Sequence, residues 1–126
     1  MEIAGKTVLV TGGSAGVGLA AAQRFVQFGA NVAITGRDSA RLEQAAARLG
    51  AGARVATIAW DVADIARAEA VFAEVEQRFG ALHVLVNNAG CNHRGVLEVL
   101  REEELLHIID TNFRAPLALS RAVLPF

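Results

Sequence analysis

The sequence predicts an α/β fold in which helices cover both faces of a parallel β-sheet. Short apolar runs of five to seven residues alternate with helical patterns of ten residues or more. That alternation is typical of βαβ units with right-handed crossovers. The runs are apolar at nearly every position, as expected for strands that are buried on both faces.

Four strands and four helices follow from these patterns in chain order. The predicted strands are Lys6–Thr11, Asn31–Thr35, Arg54–Trp60 and Leu82–Val86. The predicted helices are Gly16–Phe28, Asp38–Leu49, Asp64–Phe79, and a long helix from Arg101 or Glu102 to about Val123.

Local signals support the ends and the buried faces of these helices. Gly29 stops the first helix, Asp38 or Ser39 can cap the second, and Gly50 follows its end. The third helix has a single apolar stripe, which consists of Ile65, Ala68, Val71, Phe72 and Val75.

Composition predicts one soluble domain over residues 1–126. Of the 126 residues, 53% are hydrophobic and 20% are charged, which suits a buried core, and the net charge of −1 gives no electrostatic basis for binding nucleic acid. Cys91 is the single cysteine, so no internal disulfide forms. There is no signal peptide and no run of about 18 apolar residues, so we expect a cytoplasmic protein with no membrane segment.

The stretch TGGSAGVG, residues 11–18, joins the first strand to the first helix. Glycines such as Gly12 and Gly16 allow positive φ and close approach of a ligand to the backbone, and Gly18, a turn into the helix, would allow close helix–strand packing. A helix N-terminus offers unpaired N–H groups and a partial positive charge, which suit a pyrophosphate. A tight turn with no ligand is the alternative, although three glycines exceed its needs. No Gly-Lys-Ser/Thr follows, so the stretch is not a P-loop.

The pattern T-G-x-x-x-G-x-G resembles the cofactor motif of the short-chain dehydrogenase/reductase family. Asp61-Val62 after the third strand, Asn87–Gly90 after the fourth, and Asn112 in the following helix agree in order and spacing. The resemblance spans nearly the whole chain. It implies the N-terminal half of a Rossmann-like doubly wound sheet, with the first four strands in the order 3-2-1-4 and an incomplete C-terminus.

The resemblance implies a nicotinamide dinucleotide site at the carboxyl edge of the sheet. Asp61 would accept a hydrogen bond from the adenine amino group, while Val62 packs against the ring or bonds through its backbone. Asp61 could instead serve only the turn that it occupies, and Asn87–Gly90 could brace the sheet. The implied cofactor contacts are Gly12, Ser14, Gly16, Val17, Gly18, Arg37, Asp61, Val62, Asn88, Ala89 and Gly90.

Arg37 favours NADP over NAD. The second strand ends at Gly36, where no carboxylate would repel a 2′-phosphate, and Arg37 follows directly. Asp38 is a rival that could bond a ribose hydroxyl, although capping the second helix is its more ordinary role. Arg37 itself could be a solvated loop charge.

Asn112 matches the catalytic asparagine of the family. Pro116 lies four residues later and cannot donate to the Asn112 carbonyl, which predicts a kink and a free C=O there. In the family that main-chain carbonyl holds a water of the proton relay. The kink could instead only fit the helix around the core.

Other nucleophilic or metal-ligating residues form no convincing site. Cys91 and His93 lack a third orienting group, so we interpret residues 91–94 as a loop along the substrate cleft. His83 and His107 look like ordinary strand or helix positions, and the three histidines have no metal-ligand spacing.

In the family, catalysis also needs a serine and a Tyr-x-x-x-Lys pair, which come after the helix that carries the catalytic asparagine. These groups are not present among the 126 residues. The chain has no tyrosine, its one lysine is Lys6, and Ser14, Ser39 and Ser120 lie outside the expected position, so no Tyr-x-x-x-Lys pair exists. We therefore expect a fragment that is inactive alone. The alternative is a non-catalytic NAD(P)-binding module.

The resemblance also implies substrate class and assembly. The substrate would be a small carbonyl or alcohol compound, and the full-length parent would be a homodimer or homotetramer. We expect the fourth strand to be an exposed edge, and Leu105, Ile109 and Phe113 to be exposed on the long helix.

Overall fold

The computed structural model describes residues 1–126 and has the predicted parallel sheet. Its strands are β1 (Thr7–Thr11), β2 (Asn31–Gly36), β3 (Val55–Ala59) and β4 (Val84–Val86). All neighbouring pairs are parallel, and the order β3-β2-β1-β4 confirms the prediction, with β4 at an edge.

Helices cover both faces of this sheet, as predicted. They are α1 (Gly16–Gln27), α2 (Ser39–Leu49), α3 (Ala68–Phe79), α4 (Glu102–Ile109) and α5 (Ala115–Ala122). On β1, Val8 and Val10 pack in one core with residues of α1 and α2, whereas Leu9 packs in a second core with α3 and α5. This alternation explains why the strands are apolar throughout.

The register brings the carboxyl ends of the strands to one edge. Thr11 pairs with Thr35, and Val10 pairs with Val86. The loops after the strands therefore open on the same side of the sheet, which is where ligands bind in open α/β folds.

Three of the strands are shorter than predicted, whereas β2 extends one residue further, to Gly36, and other groups complete the ladder at the strand ends. The His83 N–H donates to the Thr7 carbonyl, but the Thr7 N–H donates to the His83 side-chain Nδ1 rather than to a backbone oxygen. β4 therefore begins at Val84 and not at Leu82. Trp60 adds one bond beyond β3, from its N–H to the Gly36 carbonyl.

The start of the third helix was predicted too early. Ile65–Arg67 forms a 3₁₀ turn, and α3 begins only at Ala68. The Trp60 indole Nε1 donates to the Asp64 carbonyl at 3.0 Å, and the Arg67 N–H donates to the same oxygen at 3.2 Å. The predicted stripe is buried at its four α-helical positions, while Ile65 is half-buried.

The long helix is not continuous. A π-helical turn over Asp110–Arg114 separates α4 from α5, and the Ala115 N–H donates to the Asp110 carbonyl. Pro116 has no N–H for the ordinary bond to Asn112, so a wider turn replaces the predicted simple kink. Leu105, Ile109 and Phe113 are exposed, as expected.

The Thr11 hydroxyl ties the end of β1 to the chain that leaves β4. It donates to the Val86 carbonyl at 3.2 Å and accepts the N–H groups of Asn88 and Ala89, each at 3.0 Å. Thr11 is 1% exposed, so water cannot replace these three bonds.

Thr11→Val is expected to lower the free energy of unfolding by about 2 kcal/mol, because it removes the partner of the Ala89 N–H and one partner each of the Asn88 N–H and the Val86 carbonyl. Urea unfolding followed by Trp60 fluorescence measures the change. Thr7→Val is the matched control, since Thr7 lies on the same strand and is fully buried, but its hydroxyl has no partner. We expect the control to be neutral or stabilising. Equal losses in both variants would contradict the role given to the Thr11 hydroxyl.

Candidate functional site

A cleft of about 490 Å³ opens at the carboxyl edge of the sheet. The structure brings together seven of the predicted site residues in its wall, namely Gly12, Ser14, Arg37, Asp61, Val62, Ala89 and Gly90. Gly16, Val17, Gly18, Asn88 and Asn112 do not line it. The cleft thus joins the loops after all four strands.

Two glycines of the turn let it pack against the loop after β4. Gly12 has φ +66°, and a Cβ there would lie 2.9 Å from the Ala89 Cα. A Cβ at Gly18 would overlap the Gly12 carbonyl oxygen and the Asn88 side-chain nitrogen. Gly18 was expected to allow helix–strand packing, but its close contacts are with the turn and with Asn88.

The turn also needs a fourth glycine, Gly13, which was not predicted as a site residue. Gly13 is buried, and a Cβ there would lie 2.7 Å from the Ile34 Cγ2. The doublet Gly12-Gly13 was the available signal, but it does not reveal which strand the second glycine faces.

Gly16 differs from these glycines because the space beside it is open. It has φ +55°, and no atom lies within 4 Å of a Cβ built there. Helix α1 starts at this residue after Ala15, with no side-chain cap and no acidic residue in its first turn. Its N–H groups are therefore available to an anion, and the absence of a Cβ leaves room for one.

The Asn88 amide braces the glycine-rich turn. Its Nδ2 donates to the Thr11 carbonyl at 3.0 Å and to the Gly12 carbonyl at 3.1 Å. Both amide hydrogens are thereby used, so the bracing role considered from the sequence is present. Contact between Asn88 and a cofactor stays a prediction.

Asp61 serves the turn that it occupies and also lines the cleft. Its Oδ1 accepts the Ala63 N–H at 3.0 Å and so forms the turn after β3. The residue is half-buried and lines the cleft beside Val62, which is almost fully buried. One carboxylate oxygen serves the turn, and Oδ2 is left for a ligand.

The geometry supports the capping role of Asp38. Its Oδ1 accepts the Arg41 N–H at 3.2 Å, and its Oδ2 lies 3.9 Å from the Arg41 Nε. Arg37 is exposed at the rim of the same cleft.

The Asn112 side chain is bound to the backbone of Cys91. The Cys91 N–H donates to Asn112 Oδ1 at 2.8 Å, and Asn112 Nδ2 donates to the Cys91 carbonyl. Asn112 lines a second cavity of about 470 Å³, which shares Ala89, Gly90 and Cys91 with the cleft. Both the oxygen and the nitrogen of its side-chain amide are thus bonded to the Cys91 backbone.

His107 and Thr111 also line the cleft and were not predicted as site residues. They are four residues apart and therefore share one face of the helical segment. No motif marks them, so only the packing of this segment against the sheet reveals their position. The Cys91 thiol lies 4.0 Å from the His107 carbonyl oxygen, not against a catalytic base.

A carboxylate stabilises the start of α4, which carries His107 to the cleft. Glu104 accepts the Arg101 N–H at 3.0 Å. This bond, then the side-chain bond from the Arg101 guanidinium, holds the pKa of the Glu104 carboxyl below its ordinary value of 4.5.

Comparison with known protein families gives a match over almost the whole chain. The profile of the family described as short chain dehydrogenase matches residues 6–126. The chain belongs to this family. Galactitol 2-dehydrogenase of Agrobacterium fabrum is 35% identical to it over 123 residues, which are 98% of this chain and 47% of that protein.

Two solved structures are similar to the chain as well. A short chain dehydrogenase from Burkholderia cenocepacia in complex with NADP has a TM-score of 0.91 and 36% sequence identity. The match covers 99% of this chain and 52% of the Burkholderia cenocepacia chain. The 3-ketoacyl-(acyl-carrier-protein) reductase from Brucella melitensis complexed with NADH has a TM-score of 0.90 and 33% sequence identity. Here the match covers 98% of this chain and 50% of the reductase chain. The chain thus spans about half of each. None of its helices has the length and apolar character needed to cross a membrane.

Acidification is expected to release the start of α4. Because the pKa of Glu104 is lowered in the folded chain, its stabilising effect is complete above pH 4.5 and is lost as the pH falls through the lowered value. Hydrogen exchange of the Arg101 amide, measured against pH, reports this loss after correction for intrinsic exchange. Glu104→Gln keeps an acceptor but cannot titrate, so its protection should not show this pH-dependent step. A step of the same size in both proteins would contradict the assignment.

Proposed function

We propose that this short-chain dehydrogenase chain forms the dinucleotide-binding part of an NADP-dependent oxidoreductase. The reaction would transfer hydride between the nicotinamide and a small carbonyl or alcohol substrate. The observation that carries the proposal is the uncapped N-terminus of α1, which lies open at Gly16 beside the cleft that Gly12 and Ser14 line.

In this proposal the glycine-rich turn holds the pyrophosphate. Gly16 and Val17 contribute exposed backbone at the start of α1. Gly12 and Gly18 act by allowing the turn to approach Asn88 and Ala89. The positive end of the helix stabilises the phosphate charge.

The adenosine lies in the cleft. Oδ2 of Asp61 is available to accept from the adenine amino group, and Val62 supplies an apolar wall. Ala89 and Gly90 are small and leave space for the ribose beside them.

Arg37 supports NADP as the preferred cofactor. It lines the cleft next to Gly36, which has no side chain to exclude a phosphate. Asp38, the rival ligand for a ribose hydroxyl, caps α2 instead. The related Burkholderia cenocepacia enzyme was solved with NADP and the Brucella melitensis reductase with NADH, so the family accommodates both.

We propose Asn112 as the asparagine of the family's proton relay. Its side chain is held by Cys91, and Pro116 removes the ordinary partner of its carbonyl, so that carbonyl can bind a water. When bound, the nicotinamide supplies or accepts the hydride. The 126 residues contain no tyrosine, and we propose that they bind cofactor without turnover by themselves.

We further propose a cytoplasmic homo-oligomer for the whole protein. Ile109, Phe113 and Leu117 are exposed along one face of the α4–α5 segment and line a shallow apolar cavity of about 480 Å³. An apolar face of this kind suits contact with another subunit.

Gly16→Ala is expected to weaken NADPH binding by about tenfold or more, because its methyl group occupies the space for the phosphate. Gly52→Ala is the matched control, since Gly52 has φ +56°, equally open surroundings and no place in the cleft. Both variants carry the same backbone strain, so binding should separate them while their melting temperatures agree. Quenching of Trp60, the single tryptophan and part of the cleft wall, measures binding. Equal affinities in the two variants would contradict the phosphate site.

Arg37→Ala should weaken NADPH by about tenfold and leave NADH nearly unchanged, because a charge-assisted bond to phosphate contributes about 1.5 kcal/mol or more. Arg48→Ala is the control, since Arg48 is exposed on the same side of the sheet, in the last turn of α2, and does not line the cleft. Titration of each variant with both nucleotides gives the ratio of affinities. A parallel loss for NADPH and NADH would refute the 2′-phosphate contact.

A further inference from the structure

A second arginine lines the cleft beside Arg37. Arg41 lies in the first turn of α2, and its side chain is 72% exposed, so the guanidinium can move without disturbing the core. Neither the motifs of the sequence nor the resemblance assigns it a role.

Asp38 holds Arg41 at this position. The carboxylate accepts the Arg41 backbone N–H at 3.2 Å and approaches the Arg41 Nε at 3.9 Å. The closest approach is through Nε, and a guanidinium has five N–H donors in a planar fork. Most of these donors are therefore available to another acceptor.

The charges along the cleft indicate the kind of ligand that needs this arginine. Arg37, Arg41, Asp38 and Asp61 all line the same cavity, so a single arginine would leave the carboxylates in excess. A phosphate monoester carries a charge of about −1.5 to −2 at neutral pH and accepts several hydrogen bonds. Two arginines match such a group better than one does.

Ser14 also borders the cleft at the end of β2. A Cβ at Gly36 would lie 3.4 Å from the Ser14 Oγ, which places the Ser14 hydroxyl directly beside the end of the strand. Ser14, Gly36, Arg37 and Arg41 thus border one part of the cleft.

We propose that Arg41 is a second specificity-determining residue for the 2′-phosphate of NADP, and that the Asp38 carboxylate, which holds Arg41 in the free chain, competes with this phosphate for the guanidinium. On binding, the Arg41 guanidinium exchanges the weak contact with Asp38 for the phosphate. This proposal rests on the proposed function and adds Arg41 to the residues that bind the 2′-phosphate.

The test uses 2′,5′-ADP and 5′-ADP, which differ only in the 2′-phosphate and require no hydride transfer. Isothermal titration calorimetry gives both affinities. Arg41→Ala should weaken 2′,5′-ADP by about three- to tenfold, as expected for an exposed charge pair with phosphate, and leave 5′-ADP unchanged. Arg41→Lys keeps the charge but loses the planar fork, so an intermediate loss is expected. Arg48→Ala should bind as the unsubstituted chain does.

Asp38→Asn provides a variant in which affinity should rise. Asparagine caps a helix as well as aspartate does, so α2 keeps its cap, while the carboxylate that competes for Arg41 is removed. We expect tighter binding of 2′,5′-ADP by about two- to fivefold and an unchanged melting temperature. A merely structural role for Asp38 would produce no gain.

The outcomes separate this inference from the proposed function. If Arg37→Ala loses affinity for 2′,5′-ADP but Arg41→Ala and Asp38→Asn do not change it, the role of Arg41 is overturned and the NADP site stands. If the unsubstituted chain binds both nucleotides equally, the NADP preference and the role of Arg41 fail together. If it binds neither, the proposed function itself is refuted.

Discussion

The hydrogen-bonded connection between the glycine-rich turn and the loop after β4 is the constraint on which the rest of the site depends. Thr11 holds the backbone of Asn88 and Ala89, and the Asn88 amide in return holds the carbonyls of Thr11 and Gly12. Neither interaction could form with a side chain at Gly12 or Gly18, because a Cβ at either position would meet this loop. The glycines therefore serve first to bring two segments together that are more than seventy residues apart in the chain.

Once this connection has formed, only some polar groups of the site are left without a partner in the chain. The side chains of Asn88, Asn112 and Asp38 are engaged with backbone groups, so they shape the site more than they contact its contents. The N–H groups at the start of α1 have no such partner. In the proposed function, the backbone at the helix N-terminus and the exposed arginines after β2 therefore bind the phosphates, which suits a ligand that has phosphates at two places.

Much of the fold and part of the site could be predicted from the sequence for identifiable reasons. The apolar runs located the four strands, and the cap at Asp38 and the glycines after α1 and α2 marked helix ends, because these signals are local. The ends of β4 and α3 could not be predicted, since they depend on the His83 and Trp60 side chains bonding to groups that neighbouring segments bring near. The π turn was foreseen only as a kink, because Pro116 shows which bond is lost but not how the helix closes around it.

The sequence by itself determined the family motifs, the order of the elements and the position of the helix disruption at Asn112. These follow from residue types at short spacings, where backbone stereochemistry decides the outcome. Only the tertiary structure decided that Gly13 packs on Ile34, that His107 and Thr111 line the cleft, and that Arg41 lies there beside Arg37. Such positions depend on which surfaces face each other once the sheet and its helices have packed, and that information is not contained in any one segment.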